Sequence, residues 1–383
     1  MKFFNHTKYL IYTLFLISLL SSLRNLFFPL VSDELQYAAI AKSIIEKGEY
    51  SLEGIPSTFT PTLPFLIVLF YSKASPFIGF AAVKFFNLLL MVIGLRFAYL
   101  FLKKINVSPN ISLIIIMLTA VNNVFVTWTS AVYPEAILFC FFWIFMFYII
   151  DEIKSSKQVF YFLVPFSILV ITRYLYGVCF FIVGYFISDF LIKSFKKRDY
   201  KSVYKVLIYS FICILPLIIW FKYVYFVERV TDIEQSYFTR FKQNDIFYNI
   251  KAGLGIVKHD EVNRINGIPA FISLFLPVTG LRNWIVSIIL ILAFCFGYIS
   301  KWKVKEYRLI FITIILIMLG LVFAGTGFSR YWLVLLPGYW LGFYFCFDYL
   351  KIKDNYFEKI SLLLAIIYVI NELRLDYLIV SKL

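Results

Sequence analysis

A few charged residues stand out because the sequence around them is apolar. Two adjacent carboxylates, Asp33 and Glu34, open the stretch SDELQYAAIAKSIIEKGEY just after the first long apolar run. Glu135 in AVYPEAILF, Arg173 in VITRYLYG and Arg330 in GTGFSRYWLVLLP interrupt later runs, and Lys84 and Arg282 fall near run ends. A carboxylate poised beside a hydroxyl accepts its proton and so serves as a general base. The planar arginine fork holds a phosphate through two hydrogen bonds and cannot lose its charge. A second carboxylate orients a sugar or holds Mg²⁺ or Mn²⁺ through hard oxygen donors. These groups suit attack by a hydroxyl on a carbon that carries a phosphate leaving group. In-line attack with a single base would invert that carbon. Plainer roles compete: Asp33 as a helix N-cap, and each cation snorkelling to a lipid interface.

The elements that must position these groups follow from composition. The 383 residues are 62% hydrophobic and 15% charged, where a soluble domain carries about 25% charged residues. Apolar runs recur along the whole chain, which marks an all-α polytopic membrane protein. Spans are placed near 9–30, 77–102, 110–129, 133–150, 158–174, 176–192, 203–226, 283–300, 309–325, 331–350 and 359–380, about eleven crossings. With the N-terminus inside, half of the 37 Lys and Arg residues fall in short inner loops, as the positive-inside rule expects. The net charge of +15 is therefore a topology signal, and nucleic acid is not an expected partner. The first run follows Lys2 and Lys8 and lacks a small-residue cleavage site, so it reads as a retained anchor. The five cysteines lie in apolar runs and read as packing residues. His6 and His259 are the only histidines, which excludes a multi-histidine zinc site. The KHDE run at 258–261 reads as a solvated loop.

Two outer segments, 31–76 and 227–282, are too long to be plain connectors. In the first, the sequence predicts an amphipathic interfacial helix beginning with an Asp-x-x-Gln capping box at Asp33 and ending at Gly48. TPTLPFLIVLFYSKASP predicts a second interfacial or re-entrant segment. No separate soluble domain is expected within 1–383.

These residues resemble the membrane-embedded GT-C glycosyltransferases, especially the bacterial aminoarabinose and protein-mannosyl transferase-like group. That family carries an Asp-Glu pair in its first outer loop, then a Tyr-Ala stretch, a Gly-aromatic and a Pro-rich segment. DELQYAAIA, KGEY and PTLPF match these, YPEAILFCFFWIF and RYWLVLLP match later motifs, and IEQSYFTRFKQNDI is more weakly similar to the large second loop. The resemblance implies a GT-C fold with juxtamembrane helices and a polyprenyl-phosphate-sugar donor. It also implies a glycan, lipid or protein acceptor, with the active site on the outer face of a bacterial inner membrane. It would make Asp33 the base, aided or replaced by Glu34. Glu135 would bind sugar or acceptor, and Arg173 and Arg330, with Tyr331 and Lys84, would bind substrate phosphate. Where the aminoarabinose enzymes have a Lys before Pro-Pro-Leu, this chain has Thr60, so that lysine and the lipid A acceptor are not carried over. A lipid-linked glycan polymerase or ligase, and a flippase or transporter of such a glycan, are the rival readings.

Overall fold

A backbone surrounded by lipid must satisfy its polar groups within itself, and long apolar runs therefore fold as helices. The structure, a computed structural model, describes residues 2–71, 76–230, 246–257, 267–276, 281–325 and 329–381. These residues form sixteen α-helices, short 3-10 turns and one hairpin. Helix α1 (Lys2–Leu23) leads into a first loop that holds α2 (Asp33–Lys47), strands β1 (Ser51–Leu52) and β2 (Ile55–Pro56), and α3 (Thr62–Tyr71). Next come α4 (Pro76–Lys104), α5 (Pro109–Ala120), α6 (Asn123–Thr129), α7 (Glu135–Ile149), α8 (Ser156–Thr172), α9 (Phe180–Lys196) and α10 (Tyr200–Val230). The later part holds α11 (Ile246–Leu254), α12 (Trp284–Ser300), α13 (Lys305–Phe323), α14 (Ser329–Trp332), α15 (Leu336–Tyr349) and α16 (Asp354–Val380). The hairpin pairs Ser51 with Pro56 and Leu52 with Ile55 across Glu53 and Gly54, both at positive φ, as a tight two-residue turn requires.

Each span read from the sequence lies on a helix or a helix pair. By length and apolarity, five of the described helical stretches are able to cross a membrane, or six if α5 and α6 count as one span bent by 62°. Helices α7, α8 and α12 are apolar but shorter. The bend has a local cause. Asn122 leaves the helical path and its Oδ1 accepts from the N–H of Val124 and Phe125, capping α6, while its amide donates to the Leu274 carbonyl at 2.7 Å.

The short helix α7 creates the room in which the charged groups sit. It is apolar on every side and packed between α4 and α8, as an all-hydrophobic helix must be. At one end Lys104 of α4 reaches the Phe147 carbonyl at 2.7 Å and Asp151 at 2.5 Å. At the other, Asn87 of α4 donates to the Ala131 carbonyl at 2.6 Å, just ahead of α7. Helix α4 then continues eleven residues further, to Pro76, about 16 Å at the α-helical rise. Helices α2 and α3 fill the space beside that overhang, so the start of α7 lies beneath the first loop.

Two described pieces of the second long segment are not open loop: its first residues continue α10 as far as Val230, and residues 267–276 turn inward. Phe271 and Leu274, in a 3-10 turn over Ile268–Leu274, are fully buried, and the Phe271 ring lies 4.7 Å from Trp332 and 5.1 Å from Tyr339. PAFISLF is too apolar to remain in water and instead forms part of the core. Most of the IEQSYFTRFKQNDI match and all of the KHDE run lie outside the described residues.

Helices α12 and α15 cross with glycine facing glycine. A Cβ on Gly297 would fall 1.9 Å from the Gly342 carbonyl oxygen, whereas one on Gly184 meets nothing within 4 Å. Gly297→Ala is expected to destabilise the protein by about 1–3 kcal/mol through overpacking. Gly184→Ala should leave stability unchanged or slightly raised. Thermal unfolding midpoints of the two variants in detergent check the contrast.

Candidate active site

The two adjacent carboxylates go to different places. Asp33 does not cap α2: Ser32 holds the N-cap position at φ 53, and no side chain bonds to the free N–H groups there. Instead Asp33 Oδ2 accepts from the Arg330 guanidinium at 2.9 Å. A charge-assisted bond to a guanidinium outweighs a bond to a neutral backbone donor, which explains the departure from the capping-box expectation. The far end of α2 is as expected, with Gly48 at φ 71 and its N–H on the Ile44 carbonyl. Asp33 keeps 34% of its side chain exposed. Glu34 is buried, and both of its oxygens are occupied. Oε2 accepts from the Val31 N–H at 2.8 Å and Oε1 from the Val132 N–H at 2.7 Å, which ties the 130–134 loop to the start of α2.

Lys84 is also buried, and its ammonium donates to the carbonyls of Asn25 at 2.8 Å and Phe28 at 2.7 Å. It clamps the turn between α1 and α2. Arg282, half-buried, lies just before α12.

Glu135 is the first residue of α7, following Pro134, where the positive end of the helix favours a carboxylate. It is fully buried, and its Oε1 accepts from Arg173 at 2.9 Å. Its Oε2 is buried without a hydrogen bond among the described residues. Arg173 ends α8, where the chain turns extended. Its guanidinium carbon lies 4.0 Å from the centre of the Tyr331 ring. Arg330 sits among three rings, with its guanidinium carbon 5.3 Å from Trp128, 5.1 Å from Tyr133 and 5.0 Å from Tyr331, and it donates to the Tyr331 hydroxyl at 3.1 Å. The result is one continuous chain: Asp33, Arg330, Tyr331, Arg173, Glu135. Four sequence-distant segments meet in it. The charges balance, and the aromatic faces stabilise both cations.

Apart from Tyr331, the sequence reading missed the aromatic members. Tyr37 lies one helical turn beyond Asp33 on α2, edge-on to Phe59 at 5.8 Å, and burial pushes its phenol well above its ordinary range. It therefore stays protonated beside Arg173 and Glu135. The i, i+4 spacing from Asp33 was the available signal. A second ionic cluster was missed as well. Arg24 reaches Glu372 and Asp376 of α16, both at 2.6 Å, Ser21 donates to Asp376, and the Asn123 amide donates to Glu372. It anchors the start of α6, the helix that carries Trp128. The NELRLD segment shows the acidic pair at i, i+4, and its apolar surroundings hid it. Among the described residues, no group of three or more His, Cys, Asp or Glu could hold a metal ion.

The apolar helices, with an ionic cluster beneath the first loop, make a polytopic membrane protein, and its likeness to solved structures assigns it the GT-C fold. Among solved structures, it is similar to ArnT from Cupriavidus metallidurans bound to undecaprenyl phosphate, with a TM-score of 0.56 and 9% identity over 90% of this chain and 60% of that one. It is similar also to the archaeal oligosaccharyltransferase AglB from Archaeoglobus fulgidus, in complex with an inhibitory peptide and a dolichol-phosphate. That match has a TM-score of 0.54 and 13% identity over 95% of this chain and 55% of that one. The apo form of the same ArnT gives 0.53 at 11% identity, covering 91% of this chain and 60% of that one. The chain thus spans about three fifths of the length of these proteins, and the likeness is one of fold. No family model matches the sequence. No curated protein matches it either.

The two ion pairs differ in exposure, and their removal should differ in cost. Glu135→Ala takes the carboxylate from a buried guanidinium and is expected to cost about 3–5 kcal/mol. Asp33→Asn, at a half-buried position where the amide oxygen still accepts from Arg330, should cost less, about 1–3 kcal/mol. Denaturation in a fixed detergent, comparing both variants with the parent, checks this order.

Proposed function

We propose that the chain is an inverting glycosyltransferase that moves a sugar from a polyprenyl-phosphate-linked donor to an acceptor at the outer face of the membrane. The observation that carries this is the solvent-open carboxylate of Asp33 held 2.9 Å from Arg330, within a charge-balanced cluster under the first loop. Support comes from the fold, shared with structures described as bound to undecaprenyl phosphate and to a dolichol-phosphate. The basic inner loops support an N-terminus on the cytoplasmic side of a bacterial inner membrane.

In the proposed reaction an acceptor hydroxyl attacks the anomeric carbon while the bond from that carbon to the phosphate oxygen breaks. The hydroxyl proton passes to Asp33, and the bonding pair leaves with polyprenyl phosphate, which gains one negative charge. Arg330 aims the Asp33 carboxylate. Arg330 and Arg173, whose planar forks suit a phosphate, are the groups that would hold the leaving phosphate. The buried Oε2 of Glu135 is placed to accept from a sugar or acceptor hydroxyl. Tyr331, between the two guanidinium groups, fixes their spacing. Glu34 and Lys84 act as positioning groups, since their polar atoms are engaged with backbone partners. The oxygens of Asp33 and Glu135 that face arginines make a poor nest for Mg²⁺ or Mn²⁺. AglB is described in complex with an inhibitory peptide, and a peptide is a second acceptor class to test.

The test uses purified protein in nanodiscs with a panel of synthetic polyprenyl-phosphate sugars and follows free polyprenyl phosphate. Asp33→Asn is expected to lower release by about 100- to 10,000-fold, the range for loss of a general base, while the protein stays folded. Release at the parental rate would sink the base assignment. Lipid movement between leaflets without release would replace the transferase with a transporter.

A further inference from the structure

Away from the ionic cluster, α9 and α13 form a groove that neither the fold nor the proposed reaction uses. The two helices are drawn together at one end, where α13 packs on the 3-10 turn over Tyr174–Cys179 that leads into α9. Gly320 permits that approach: a Cβ there would lie 2.6 Å from Leu175. Beyond this end, a groove of about 320 Å³ runs between the helices. Phe181, Tyr185 and Phe186 line it from α9, and Leu309, Ile312 and Leu316 from α13. Phe181 and Tyr185 remain largely exposed, 77% and 65%, on a face that looks into lipid.

The groove closes on two cations. Lys305 and Arg308, at the start of α13, are part of its lining. The Lys305 ammonium lies 6.0 Å from the Phe186 ring, and the Arg308 guanidinium lies 5.9 Å from Trp302. Trp302 is exposed, as indoles at a membrane–water interface are, and it marks headgroup depth for the two cations. From Lys305 to Leu316 the groove is about 16 Å long at the helical rise. A hydrocarbon core is about 30 Å thick, so the groove spans a single leaflet. An apolar slot one leaflet deep, with two positive charges at headgroup level, matches one acyl chain beneath an anionic headgroup. It is too short for the long isoprenoid chain of a polyprenyl phosphate.

We infer that this groove binds an anionic glycerophospholipid, with its phosphate on Lys305 and Arg308 and one acyl chain between α9 and α13. Basic pockets between transmembrane helices are where such headgroups are held. The site is separate from the ionic cluster, and its occupancy does not depend on whether the chain transfers sugar.

The test titrates purified full-length protein in detergent with phosphatidylglycerol and with phosphatidylcholine of the same acyl chains, counting bound lipids by native mass spectrometry. The parent is expected to hold one phosphatidylglycerol at least tenfold more tightly than phosphatidylcholine. Lys305→Gln with Arg308→Gln should remove that preference. Leu309→Trp, which fills the slot, should weaken retention of both lipids. Lys351→Gln with Lys353→Gln, a basic pair outside the groove, should leave the preference intact. The inference is overturned if the preference survives loss of Lys305 and Arg308, if the Lys351 and Lys353 pair abolishes it equally, or if a polyprenyl phosphate displaces phosphatidylglycerol at lower concentration.

Discussion

A guanidinium cannot escape burial by giving up its proton, and this constraint organises the centre of the molecule. Arg330 and Arg173 are both largely withdrawn from water, so each must find a carboxylate within reach. No neighbour along the chain supplies one. The carboxylates come from the start of α2 and the start of α7, and both helices begin where the cations require them. The rest of the local architecture serves that meeting. The Asn122 cap bends the path so that α6 delivers Trp128, and the loop after it Tyr133, to the Arg330 faces. Glu34 then pins the following loop to α2 through backbone donors.

The cluster is held by more than its charges. Trp332, next to Tyr331, packs at a tilt against Phe271, which is wedged inward against Tyr339 and Phe294. The Trp143 indole donates to the Val334 carbonyl at 3.0 Å, tying α7 to the segment just after α14. Glu135 and Arg330 are therefore borne on two elements fixed to each other by aromatic packing and a buried hydrogen bond. Groups set on such supports keep their geometry as a substrate enters, which electrostatic catalysis needs.

Much of this was legible in the sequence because an ionisable residue in an apolar run is conspicuous. Asp33, Glu135, Arg173 and Arg330 were all singled out on that ground, and the structure joins them in one chain. Their pairing was not legible, because partners 38 and 297 residues apart leave no local trace. Local rules misled where a stronger distant partner existed: the Asp-x-x-Gln pattern suggested a cap, and Arg330 took the carboxylate. Residues 267–275 read as loop because their burial depends on helices that come later in the chain. Trp128 and Tyr133 were invisible in a chain that is 21% aromatic, where one more ring carries no signal.

The separation of Asp33 from Arg330 also bears on how the protein is made. At about 5–20 residues per second, the ribosome needs about 15–60 s to travel between them. Throughout that interval α2 lies at the membrane with its leading carboxylate unmatched, and no cluster exists. Synthesis of α14 supplies the missing cation. A nascent chain released early would hold the first loop but lack the guanidinium that pairs with Asp33, so premature products of synthesis carry no complete cluster.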